Sequence, residues 1–286
     1  MIISLLLIVV GFAALIFGAN WLVDGAAALA KKYKVSDLAI GLTIVAFGTS
    51  APELVVNIIS SLNGYSDLVL GNVIGSNNIN LFIILGISGL IFPIKVQSST
   101  AWKEIPISLF VTVLLLFLLN DFTFSQTSTF SRLDGTIMLI LFLVFLYYVF
   151  LQMKNEPHAE TITEGTQKST LKLWTLIIVG LAGLVIGGQL VVENCVSIAK
   201  KLEVSEKIIG LTIVALGTSL PELVTSIVAA LKKNSDIAIG NILGSNIFNI
   251  LFILSISSLI KPIPYNTKFN LDMYILIGGT VFLFTS

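Results

Sequence analysis

Charge is what this sequence has least of. Only 11% of its 286 residues are Asp, Glu, Lys or Arg, against about 25% in a soluble domain. A soluble chain of this size could not cover its surface with so few charges. There is one cysteine, Cys195, which excludes an internal disulfide, a CxxC redox pair and a thiolate metal cluster. The one histidine, His158, lies in the most polar stretch. That argues against an imidazole metal centre and a Ser-His-Asp hydrolase, and no enzyme is expected. Lys plus Arg and Asp plus Glu number 16 each, so no basic excess points to nucleic acid. The N-terminus, Met1-Ile2-Ile3-Ser4-Leu5, lacks the basic n-region of a cleavable signal.

What the sequence has is apolar length. Hydrophobic residues make up 56% of it, and the mean hydropathy is +0.99. Apolar runs cover roughly 2–30, 38–62, 67–93, 103–120, 133–153, 172–199, 206–231, 236–260 and 271–286, which makes nine candidate membrane spans. The longest polar joint, 154–171, contains Pro157 and Gly165 and reads as a flexible linker.

An internal repeat dominates the chain. GLTIVAFGTSAPELV starts at Gly41 and GLTIVALGTSLPELV at Gly210, an offset of 169. At that offset GNVIGSNNIN (71–80) meets GNILGSNIFN (240–249), and 28 of 50 positions are identical between 41–90 and 210–259. The offset spans five predicted helices, an odd number, so the two copies enter the membrane from opposite sides. The expected fold is an all-α polytopic membrane protein of two inverted-topology repeats of five helices. Residues 1–153 form the first repeat, 154–171 the linker and 172–286 the second. The fifth span should recur near 302–322, so the tenth helix is expected to be missing from this chain.

Positive charge orients the spans. Joints after spans 1, 3, 5 and 7 carry ten Lys: Lys31, Lys32, Lys34, Lys95, Lys103, Lys154, Lys168, Lys172, Lys232 and Lys233. The opposite side carries six: Arg132, Lys200, Lys201, Lys207, Lys261 and Lys268. The expectation is a multi-pass protein of the cell membrane with its N-terminus outside and 154–171 in the cytoplasm.

Most acidic residues sit at joints. Glu53 and Glu222 lie mid-helix and are repeat-equivalent. A carboxylate at that depth costs about 2.5–3.5 kcal/mol even on the insertion scale. A buried Lys or Arg partner would neutralise it, but no span has a basic residue in its middle. A permanently protonated Glu is the other bland alternative, and repeat equivalence argues for a shared function instead. Each Glu follows a proline, in Gly48-Thr49-Ser50-Ala51-Pro52-Glu53 and Gly217-Thr218-Ser219-Leu220-Pro221-Glu222. Proline removes a donor and clashes with the carbonyl four residues back. Carbonyls from Ala46 to Thr49, and their partners from Ala215 to Thr218, are expected to lose helical bonds and face something polar.

The next helix of each half supplies neutral oxygen, from Ser76 and Asn80 and from Ser245 and Asn249. Asn72, Asn77, Asn241 and Asn246 read as interhelical hydrogen-bond partners, and the GxxxG glycines as packing. Asp24, Glu193, Asp67 and Asp236 read as ordinary interfacial charges. All-oxygen ligation selects hard cations. Two carboxylates suit Ca2+, and uncharged oxygen cages suit Na+. A site that holds one or the other, but not both, would make an exchanger. A proton/calcium exchanger of the same fold is the alternative.

GTSAPE with GNVIGSNNIN, and GTSLPE with GNILGSNIFN, resemble the two α-repeats of the cation/calcium antiporter superfamily, closest to its prokaryotic sodium/calcium exchangers. The resemblance covers both halves of the chain. It implies ten helices, with helices 2, 3, 7 and 8 forming the ion sites and helices 1 and 6 sliding across them. It also implies that three Na+ or one Ca2+ are carried in turn, with no cofactor beyond the transported ions and the bilayer as solvent. A monomer would suffice. By position, Glu53 and Glu222 resemble the central calcium-binding glutamates, and the carbonyls of Thr49 and Thr218 accompanying ligands. Ala46, Ser50, Ser76, Ala215, Ser219 and Ser245 resemble sodium-site residues, and Asn80 the central asparagine. Asn249 departs from the pattern, since many relatives carry Asp there. That removes a titratable group and argues against potassium co-transport.

Overall fold

The computed structural model describes residues 2–94, 102–120, 128–155, 169–203 and 215–285. The helices follow the apolar runs. They are α1 (Ile2–Tyr33), α2a (Asp37–Thr49), α2b (Ala51–Asn63), α3 (Ser66–Ile91), α4 (Glu104–Leu119), α5 (Arg132–Asn155), α6 (Thr170–Lys201), α7a (Ala215–Thr218), α7b (Leu220–Leu231), α8 (Ser235–Ile260) and α9 (Asn270–Thr285). Residues 206–214 of the seventh expected span lie outside the described residues, as do His158, most of the linker, and Lys95, Lys168 and Lys207 from the charge count.

Among the described residues α1, α3, α5, α6 and α8 are long and apolar enough to cross a bilayer, and the bent pair α2a–α2b makes a sixth. That is fewer than the nine expected. Helices α4 and α9 have 16 residues each, about 24 Å of helix against about 30 Å of hydrocarbon. The surface is apolar, and the interior buries polar groups alongside its apolar core. Phe17, Trp21, Leu90, Phe110, Leu143 and Phe282 are exposed, while Glu53, Glu222, Asn77 and Asn80 are buried. This pattern suits lipid outside and a polar site within. Helix α8 is the central post: its most apolar stretch is 94% buried, against 28% for α1.

Two helix contacts fix the relative directions of the halves. A Cβ on Gly18 of α1 would lie 2.7 Å from the Gly180 carbonyl of α6, and one on Gly11 would lie 2.9 Å from the Gly187 carbonyl. The partner number falls as the α1 number rises, so the two helices run antiparallel in backbone contact. Only glycine permits that approach. By contrast Gly41 of α2a meets Gly240 of α8, and Leu42 and Ala46 meet Gly244, so these two run parallel.

One feature departs from the all-α expectation. Ser128–Phe130 (β1) pairs antiparallel with Ile263–Tyr265 (β2), with Thr129 opposite Pro264. Strands this short, one of them carrying a proline, have no sequence signature. The ribbon ties the entry of α5 to the exit of α8, and Arg132 adds a 3.3 Å bond to the Ile260 carbonyl.

Candidate functional site

The site is built where α2 and α7 break. Ser50 separates α2a from α2b, which meet at a 47° bend. It has φ −83° and ψ 9°, and Ser219 has φ −88° and ψ 7°. Both lie in the bridge region that interrupts a helix. The cause is local, because Pro52 and Pro221 offer no N–H to Gly48 and Gly217. The expectation for Ala46 needs correction. Its carbonyl still accepts the Ser50 N–H at 3.0 Å, and the Thr49 hydroxyl at 3.3 Å. A proline acts on the carbonyl four residues back, and Ala46 lies six back.

The two breaks face each other, and three of the links across them come in mirror pairs. Ser50 donates to Oε1 of Glu222 at 2.8 Å, and Ser219 donates to Oε1 of Glu53 at 3.3 Å. The Thr49 hydroxyl donates to Oδ1 of Asn241 at 3.0 Å, and the Thr218 hydroxyl to Oδ1 of Asn72 at 3.4 Å. Asn80 Nδ2 donates to Asn246 Oδ1, and Asn249 Nδ2 to Asn77 Oδ1, each at 2.9 Å. Adding the repeat offset to one member of each pair of bonds gives the other.

Both carboxylates are 1% exposed, and no Lys or Arg occurs within α2, α3, α7b or α8. Oε2 of Glu53 and of Glu222, Oδ1 of Asn80 and of Asn249, and Oγ of Ser245 are buried without a hydrogen-bond partner. Buried acceptors left unpaired are costly. Two uncompensated carboxylates are far more so. A bound cation compensates them, and the donor set is all oxygen, which suits Na+ or Ca2+. Among the described residues no cluster of three or more His, Cys, Asp or Glu occurs, so two carboxylates carry all the formal charge of such a site.

Nearly all the sequence-derived residues converge here. Glu53, Glu222, Thr49, Ser50, Ser76, Ser219, Ser245, Asn80 and Asn249 are buried, and Ser76 lies 3.2 Å from Ser219. Thr218 joins them through Asn72, and Ala46 is fully buried on α2a. Of Ala215 the backbone alone is described. The four further asparagines are interhelical partners, as their type and spacing predict. Ser226 was not foreseen: it accepts Asn241 Nδ2 at 3.0 Å. Glu104, at the start of α4, is fully buried, and Tyr148 donates to it at 2.6 Å. Asp24 behaves as an interfacial charge and pairs with Lys232 at 2.7 Å.

Known proteins are similar to this chain in sequence and fold. A model of the sodium/calcium exchanger protein family matches residues 3–151 and 172–286. Sodium/calcium exchanger MaX1 of Methanosarcina acetivorans is 32% identical over 91% of this chain and 84% of its own. Inner membrane protein YrbG of Escherichia coli is 34% identical over 92% of this chain and 81% of its own. The solved structure of the sodium-calcium exchanger NCX_Mj, soaked with 2.5 mM Na+ and 0.1 mM Ca2+, superimposes with a TM-score of 0.86 and 32% identity. That match covers 99% of this chain and 90% of the solved one. This chain is thus a multi-pass membrane protein that belongs to the sodium/calcium exchanger protein family, a family of transporters and not of enzymes.

Proposed function

We propose that the chain is a secondary antiporter that exchanges Na+ for Ca2+ across the cell membrane by alternating access to a midplane site. The observation that carries this reading is the pair Glu53 and Glu222. Each is held by the serine of the other half through one oxygen and presents a second, unpartnered oxygen. Ca2+ would take both carboxylates together with Asn80, Asn249 and the Thr49 and Thr218 carbonyls. Na+ would use Ser50, Ser76, Ser219, Ser245 and Ala215, and the Ala46 carbonyl in place of the Thr49 hydroxyl that it accepts. Two carboxylates balance one Ca2+ in full, so the site cannot hold Ca2+ and several Na+ together without excess positive charge in a low-dielectric interior.

In this reading residues 1–153 and 172–286 are inverted repeats joined by the linker 154–171. The antiparallel α1 and α6 and the parallel α2a and α8 support an odd number of crossings between the copies. The N-terminus lies outside and the linker in the cytoplasm, on the Lys asymmetry. Helices α1 and α6 form the sliding pair. The family model, MaX1 and NCX_Mj, all sodium/calcium exchangers by name, favour Na+ as the coupling ion.

The test is calorimetric Ca2+ binding to the purified chain, with and without Na+. Wild-type protein is expected to bind Ca2+ and to lose it as Na+ rises. Glu53→Gln and Glu222→Gln are expected to bind none. Unchanged Ca2+ binding in both variants contradicts the proposal.

A further inference from the structure

An asparagine amide is nearly symmetric in shape but opposite in chemistry at its two ends. If it turns over, it offers a cation two N–H donors in place of an oxygen. A site that relies on Asn80 and Asn249 for ligands needs something to forbid that turn. Four buried asparagines supply it. Asn249 Nδ2 is committed to Asn77 Oδ1, and Asn80 Nδ2 to Asn246 Oδ1, both at 2.9 Å. The two partners are themselves interlocked. Asn77 Nδ2 donates to the Asn246 carbonyl at 3.2 Å, and Asn246 Nδ2 to the Asn77 carbonyl at 3.4 Å. The bonds form one line, Asn249–Asn77–Asn246–Asn80, whose two halves are related by the repeat. All four residues are at most 3% exposed, so water does not compete. What these bonds leave over is Oδ1 of Asn80 and Oδ1 of Asn249, both unpartnered.

We infer that Asn77 and Asn246 are positioning residues, which fix the amides of Asn249 and Asn80 with their oxygens toward the ion. This rests on the proposed site and extends it to two residues that do not touch the ion. The local backbone serves the same end. The helix widens into π turns at Ile79–Ile84 and Asn249–Ile253, which contain Asn80 and Asn249. Such turns re-aim side chains at functional positions. The bond to Asn77 also matches the amide that this chain carries at 249. An aspartate there would set a carboxylate oxygen against Asn77 Oδ1, acceptor against acceptor.

The experiment measures Ca2+ affinity and thermal unfolding of the full chain in one detergent. It compares wild type, Asn77→Ala, Asn246→Ala, Asn249→Ala, the double variant Asn77→Ala with Asn249→Ala, and Asn120→Ala. Asn120 bonds Asn270 in a separate amide pair and reads the effect of losing a purely structural link. Asn77→Ala and Asn246→Ala are expected to weaken Ca2+ binding by about 10–100-fold, the usual loss when a ligand's outer partner is removed. The double variant should bind no more weakly than Asn249→Ala alone, because Asn77 acts through Asn249. Asn120→Ala should lower the unfolding temperature and leave affinity unchanged. The two mirror variants report the same bond type, so one that fails to fold leaves the other to decide. Wild-type affinity retained in folded Asn77→Ala and Asn246→Ala, or losses that add in the double variant, would overturn the inference while leaving the proposed function standing. A wild type that binds no Ca2+ would overturn both.

Discussion

The Ser50 hydroxyl donates a 2.8 Å hydrogen bond to Oε1 of Glu222, 172 positions away. The serine is the residue at which α2 breaks, so the break that interrupts one half also holds the carboxylate of the other. The mirror bond, from Ser219 to Glu53, is longer at 3.3 Å, and Ser76 lies 3.2 Å from the same hydroxyl. Each half thus aims the other's charge. Neither half can make a complete site alone.

Unequal bonds predict unequal losses. A hydrogen bond to a charged group contributes about 1.5–3 kcal/mol. Ser50→Ala is expected to raise the Ca2+ concentration for half-maximal exchange by about tenfold or more, and Ser219→Ala by less. Exchange assays at a series of Ca2+ concentrations measure both. An equal or reversed order would mean that the serines do not set the carboxylate geometry.

The α1–α6 contact predicts a different phenotype. A Cβ on Gly18 would lie 2.7 Å from the Gly180 carbonyl and 2.9 Å from the Leu184 nitrogen, and one on Gly180 would lie 2.7 Å from the Leu22 nitrogen. Gly18→Ala and Gly180→Ala are expected to destabilise the protein by about 1–3 kcal/mol and to slow turnover. Ca2+ affinity at the separate ion site should not change. Unfolding temperature, turnover and binding isotherms together distinguish this from damage to the site.

Outside the membrane spans, Tyr265 links the ribbon to α9. Its hydroxyl donates to Asn270 Oδ1 at 2.6 Å, and burial pushes its pKa from 10.0 up to about 12. The folded state favours the neutral phenol. Its contribution is therefore complete below pH 10 and is lost as pH rises toward 12. Tyr265→Phe is expected to lose about 1 kcal/mol at neutral pH and to show a shallower fall in stability between pH 10 and 12 than wild type. Unfolding followed across that range is the measurement.

Three Na+ for one Ca2+, the ratio implied by the family resemblance, moves one net positive charge per turnover. Exchange is then expected to follow an imposed membrane potential, because three Na+ entering a vesicle for one Ca2+ leaving carries one positive charge inward. In practical terms, an interior-negative potential should speed Na+ entry with Ca2+ exit, at about 2.3 kcal/mol per charge for each 100 mV. Potassium-diffusion potentials set with an ionophore provide the assay. A rate indifferent to potential would point to an electroneutral ratio.

Much of the site was legible because the repeat states it twice. Glu53 and Glu222 stand out as unpaired carboxylates in apolar helices, and Pro52 and Pro221 mark the breaks. The cross-half pairs were not legible, since contacts 172 residues apart depend on how the halves dock. Ala46 was misjudged because its carbonyl lies beyond the reach of Pro52 and keeps the Ser50 N–H. Glu104 begins its helix like any joint residue, and only the packing of α5, with Tyr148, buries it. The π turns and the three-residue ribbon leave no period in the sequence to detect.

Gradient-swapped flux tests exchange most directly. Proteoliposomes holding the full chain are loaded with Na+, K+ or buffered acid and diluted into radiolabelled Ca2+ without that ion. Ca2+ uptake driven by the outward Na+ gradient, absent with K+ or H+ and absent in Glu53→Gln and Glu222→Gln, is the predicted result. Uptake driven by the pH gradient alone, or equal with every internal ion, would contradict Na+/Ca2+ exchange.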